Sequence, residues 1–191
     1  MVREDEVIGK IEKIPEGSQF EKYLKILEPI LSGEINEEKM DQFEQLLKQV
    51  FHDCVEVVSS SKSFGYAIKI FFIYNNDQYI KLEQESSKKA INIEVAKGPS
   101  TAFVLHRGLE SIIYLNVARL LCAKNKPSLM LMLTGSLIHE ILHLAHPEKS
   151  EQEIFDLEVE HVEKFLGVEL PREFKELKAS DYYENTKDKK A

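Results

Sequence analysis

Between Pro127 and Pro147 the chain is almost wholly apolar, and the titratable side chains within that run are His139, Glu140, His143 and His146. Proline suits the first turn of a helix and cannot continue one, so the pair brackets a single helix. Gly135 is a weak point inside it that burial tolerates. Imidazoles four residues apart share one face of a helix, so His139 and His143 can hold one metal ion. Glu140, between them, can accept a proton from a water that the metal activates. A fold for this sequence must bury an apolar helix that carries this polar set.

Two histidines need at least one more protein ligand. His146 shares their face, but a rise of about 1.5 Å per residue puts it too far from His139 unless the helix unwinds before Pro147. Past the proline, Ser150-Glu151-Gln152-Glu153 has the form of a capping box, and the helix it opens reaches Leu166 with Gly167 as its stop. On that helix Ile154, Phe155, Val159, Val162, Phe165 and Leu166 form one apolar stripe, and Glu158 falls in its middle. Glu153, Asp156, Glu160 and Glu163 point the other way. A short connection favours an antiparallel pair of helices, which sets Glu158 near the level of His139. Glu158 is thus the preferred third ligand, with His146, Glu151 and Glu153 as alternatives. Glu151 lies on the same side nearer the turn and His161 flanks Glu158, so either can hydrogen-bond a ligand. His161 reads more simply as a packed, satisfied histidine.

Over residues 136–166 the sequence resembles a zincin metallopeptidase, specifically a small gluzincin, in which an HExxH helix is followed by a helix supplying a glutamate. The resemblance implies a Zn2+ ion held by His139, His143 and Glu158, with Glu140 as general base in peptide-bond hydrolysis. It also implies a sheet before the motif helix whose edge strand aligns the peptide. Two departures stand out: the interval from the motif to Glu158 is short, and Val162 replaces the acid often found four residues after that glutamate. The metzincin pattern, with its glycine turn and later third histidine, does not fit His146. Tyr182, Tyr183 and His106 are candidates for stabilising the transition state.

The preceding sequence supplies the rest of an α+β fold. Phe20, Tyr23, Leu24, Leu27, Ile30 and Leu31 repeat at helical spacing, closed by Gly33. Met40, Phe43, Leu46, Leu47, Val50 and Phe51 repeat it again, so residues 1–52 read as a helical hairpin with an acidic outer face; a lid or propeptide is the sharper alternative. Val55, Val57 and Val58 suggest a short strand. Residues 66–74, 78–84 and 90–96 suggest three strands of a small antiparallel or mixed sheet, with Asn75-Asn76-Asp77 as a turn. Residues 111–117 fit either a strand or the start of a helix, and the helix is preferred. A short helix from Pro171 and a loose tail over 181–191 complete a single domain expected to span 1–180, with sheet and metal-site helices within 53–180.

A net charge of -8 and a pI near 5.4 disfavour nucleic acid or an anionic membrane as partner. The polar N-terminus and the brevity of the Ser128–Ile138 stretch point to a cytoplasmic protein. Cys54 and Cys122, far apart in sequence, read as reduced, core-packed thiols. The expected function is therefore a zinc-dependent peptidase acting on a peptide or protein. The competing reading is a zincin-like binding or regulatory module whose metal is structural or absent, and a weaker third is hydrolysis of a non-peptide substrate.

Overall fold

Ser18 opens the first helix, α1 (Gln19–Leu31), by accepting a hydrogen bond from the Glu21 N–H, and the chain leaves it through Gly33 at φ +70°. Only glycine takes that left-handed conformation without strain. The computed structural model describes residues 14–60, 64, 67–89, 100–107, 109–123, 125–172 and 175. Asn36 caps α2 (Glu37–Ser59) in the same way, accepting from the Lys39 N–H. The expected strand at Val55–Val58 does not form, because Cys54 and Val58 extend the stripe of Phe43, Leu47, Val50 and Phe51 and are buried with it.

The sheet is mixed, one of the two arrangements expected, but its strands are not the ones expected. Strands β1 (Ala67–Ile73), β2 (Ala102–Arg107) and β3 (Glu110–Asn116) lie in the order β1-β3-β2. β1 runs parallel to β3, with Ile70 opposite Ile113, and β2 runs antiparallel to it, with Val104 opposite Ile113. Between β1 and β2, the residues expected as a strand at 78–84 form α3 (Asn76–Lys89). Asn75 makes no turn there but caps that helix, accepting from the Gln78 N–H at 2.9 Å. The expected strand at 90–96 lies outside the described residues.

Residues 111–117, expected to begin a helix, are instead the central strand β3, followed by the short α4 (Val117–Leu121). A strand buried on both faces carries a continuous apolar run, here Ile112, Ile113 and Leu115, which periodicity alone does not separate from a helix. The bracketed helix α5 (Lys126–Ala145) and the capped helix α6 (Glu151–Leu166) form where the sequence places them. Asn125 caps the first, with Pro127 in its first turn. The second carries the complete Ser150–Glu153 capping box and ends at Gly167, φ +68°.

The described residues thus make six helices and one three-stranded mixed sheet. One core joins them: Phe20, Leu27, Leu47 and Val50 from the N-terminal helices pack in the same cluster as Ile113 and Leu115 of β3, Leu137 and Ile141 of α5, and Leu166 of α6. The N-terminal helices are built into this core. Cys54 is buried, as expected, but Cys122 is exposed at the end of α4. By length and hydropathy α5 also qualifies as a membrane span, yet 72% of its apolar window is covered by the rest of the chain.

Candidate metal centre

From Ser128 to Ala145, α5 is buried except at Met132, Ser136, His139, Glu140 and His143. These positions follow one another at four, three, one and three residues, so they form a single stripe along the helix. The motif lies on the one line of α5 that reaches the surface.

Within that stripe the His139 and His143 rings meet edge to face, centroids 4.7 Å apart, and their Nε2 atoms are 3.0 Å apart. The Glu151 carboxylate straddles them: Oε1 lies 3.3 Å from His143 Nε2 and Oε2 lies 3.5 Å from His139 Nε2. One ligand atom from each of His139, His143 and Glu151 can be chosen so that all lie within 4.8 Å of one another. Glu151 is the first residue of α6, so the Ser150 cap that starts the helix also sets the start of this carboxylate's side chain.

Glu158 is buried, as its place in the apolar stripe requires, and it reaches His139, but on the opposite edge of the ring. Its Oε2 accepts a hydrogen bond from His139 Nδ1 at 2.9 Å. The expected roles of the two acids are therefore exchanged in position: Glu151, expected beside a ligand, stands at the paired Nε2 atoms, and Glu158, expected there, stands behind one ring. A helical wheel gives the face on which an acid lies, not the ring edge that it meets.

The other candidates are occupied elsewhere. His146, where α5 ends, turns its Nδ1 to within 3.4 Å of Glu148. Glu153 is held in the capping box. His161 pairs through Nδ1 with the Leu157 carbonyl at 2.8 Å, the satisfied histidine of the simpler reading. His106 lies exposed on β2 with its Nδ1 2.9 Å from Ser111 Oγ. Tyr182 and Tyr183 lie outside the described residues.

Electrostatics follow from three carboxyl groups gathered around two imidazoles. Burial depresses the basicity of His139, but Glu151, Glu158 and Glu140 outweigh it and push its pKa up to about 10. Hydrogen bonds from His139 and His143 hold the Glu151 carboxyl well below the usual carboxylate range. Burial raises Glu140 to about 7 against the downward pull of both histidines. Among the described residues nothing hydrogen-bonds to the Glu140 carboxyl.

A residue that the sequence did not bring to the site is Tyr79 of α3, wholly buried, its hydroxyl 2.8 Å from Ser100 Oγ. Burial holds its phenol above the usual range against the Ser100 hydrogen bond, and the nearby charges of Glu83 and Glu140 add to the effect. The signal that would have found it is Asn75, which serves equally as turn residue or helix cap.

Two imidazole nitrogens and a carboxylate oxygen are a zinc donor set, and the surplus of carboxylates suits a dication. The residues present therefore fit the metal that the motif implies. Comparison with protein-family models, curated proteins and solved structures gives no match.

Proposed function

We propose that this chain is a zinc-dependent hydrolase of the gluzincin kind, cleaving peptide bonds, with His139, His143 and Glu151 as metal ligands and Glu140 as general base. The observation that carries this reading is the convergence of two Nε2 atoms and one carboxylate on the open stripe of α5, beside the Glu140 carboxyl group, which has no described hydrogen-bond partner of its own. Three protein donors converge there among the described residues, so a four-coordinate metal held by them would keep one position open for water or substrate. A structural site closes that position with a fourth protein ligand.

A bound zinc supplies Lewis acidity, which polarises a carbonyl and acidifies water. Glu140 takes the proton from the attacking water and returns it to the leaving nitrogen as the C–N bond breaks. A carboxyl raised to about 7 by burial suits both directions of that transfer near neutral pH. Peptide is favoured as substrate because β2, which lies against α5, is an edge strand of the sheet among the described residues and antiparallel to its neighbour. An extended chain can add to such an edge.

The test is Glu140→Gln. It should bind zinc as wild type does and lose hydrolysis of a peptide library by about 10²–10⁴-fold. A variant that cleaves as fast as wild type would remove Glu140 from the reaction. Wild-type protein that binds zinc but cleaves no peptide would favour the binding-module reading.

A further inference from the structure

Glu158 is a carboxylate in the apolar stripe of α6, its side chain 4% exposed, and its Oε2 lies 2.9 Å from His139 Nδ1. An ionised carboxylate offers only acceptors, so the ring nitrogen is the donor. An imidazole that keeps its hydrogen on Nδ1 presents Nε2 as a lone pair once it is neutral, and Nε2 of His139 is the atom that faces His143 and Glu151. Turning the ring over about Cβ–Cγ would put the Cδ2–H where Nδ1 now meets Glu158 and the Cε1–H where Nε2 now faces the other two donors, so the hydrogen bond holds the ring's orientation as well as its tautomer.

We infer that Glu158 is a positioning residue that locks the ring and tautomer of His139, so that Nε2 is the atom offered to the metal. The inference rests on the hydrolase reading above. It departs from the assignment that the family resemblance implies, in which Glu158 is itself the ligand. Seven residues, close to two helical turns, separate Glu151 from Glu158, so both acids lie on the same side of α6. The first meets the Nε2 edge of His139 and the second its Nδ1 edge. His143 lacks this support: no described residue hydrogen-bonds to its Nδ1, and its side chain is 27% exposed against 14% for His139. His139 is the fixed ligand of the pair and His143 the adjustable one.

The full chain is purified as wild type and as Glu158→Leu, Glu158→Gln, Glu151→Ala and His143→Ala. Folding is checked by circular dichroism, zinc affinity is measured by competition with a chromophoric chelator, and the imidazole N–H protons are followed by ¹⁵N-edited NMR. Glu158→Leu, which puts an apolar side chain into an apolar stripe, should weaken zinc by about 10–100-fold, the range for losing a hydrogen-bond partner of a metal-bound histidine. Glu151→Ala and His143→Ala should weaken it more. Zinc-loaded wild type should show a downfield His139 Nδ1 proton protected from exchange; Glu158→Leu should abolish it, and Glu158→Gln should retain it, shifted upfield, with part of the affinity restored.

Unchanged affinity and an unchanged N–H signal in Glu158→Gln would overturn the inference, and that arm decides if the leucine variant does not fold. Glu158→Leu as damaging as His143→Ala, with Glu151→Ala silent, would overturn it by making Glu158 the ligand. Wild type that binds no zinc would instead overturn the hydrolase reading, and this inference with it.

Discussion

Cys54 and Cys122 carry the same functional group in opposite surroundings. Burial between the N-terminal helices and the rest of the core pushes the Cys54 thiol well above its ordinary pKa, while Cys122 is exposed at the end of α4. The thiolate is the reactive form. A disulfide reagent at neutral pH should therefore modify one thiol rapidly, abolished by Cys122→Ser, and reach the second only on unfolding; two fast equivalents would contradict the packing of α2. At the site, the four-residue spacing was enough to bring His139 and His143 together and set Glu140 beside them. The burial of Glu158 was also legible, since one acid in an apolar stripe has few other places to go. Its partner atom was not, because sequence spacing carries no information on how an imidazole is turned.

At the scale of elements, local chemistry was readable and tertiary chemistry was not. The Ser150–Glu153 box needs only its own four residues, and it forms as written. Ser150→Ala should cost about 1 kcal/mol in a denaturant titration, and because Glu151 opens the same helix it should also weaken zinc binding. Lowered stability with unchanged zinc affinity would separate the cap from the ligand. The misread segments are those where one residue type serves two structures. Val55, Val57 and Val58 have the β-branched side chains of a strand, yet the core completed by Cys54 and Val58 keeps α2 helical. Asn75 and its neighbours fit a turn between strands as well as a helix start, and the Asn75 side chain caps α3. In β3, Ile-Ile-Tyr-Leu is apolar on both faces because both are buried, Ile112 on one and Ile113 and Leu115 on the other, which removes the alternation that identifies a half-exposed strand.

For the whole molecule, the proposed site should couple pH to stability with opposite sign in the metal-free protein and in a zinc-loaded one. His139, raised from 6.5 to about 10, contributes stability that is full below 6.5 and lost as pH rises towards 10. Glu140, raised from 4.5 to about 7, loses its contribution as pH rises through that window. Glu151 works the other way, but its contribution is already complete above 4.5. Metal-free protein should thus melt at progressively lower temperature from about pH 5 to about pH 9. Zinc requires unprotonated imidazoles, so its stabilisation should grow over the same range. Thermal melts with and without zinc read the difference, and a gap that narrows with rising pH would argue against these ligands.

Exposure across the three proposed ligands and the acid behind them is ordered: Glu158 4%, His139 14%, His143 27% and Glu151 53%. This gradient gives the centre a floor and a lip. A metal ion leaving by the lip would part first from Glu151 and His143 and last from His139, without disturbing the core that links α1, α2, α5 and α6. Capture would run in reverse. On the proposed reading, metal traffic would be separated from global unfolding, and the protein would be loaded or stripped at its rim while its fold persists.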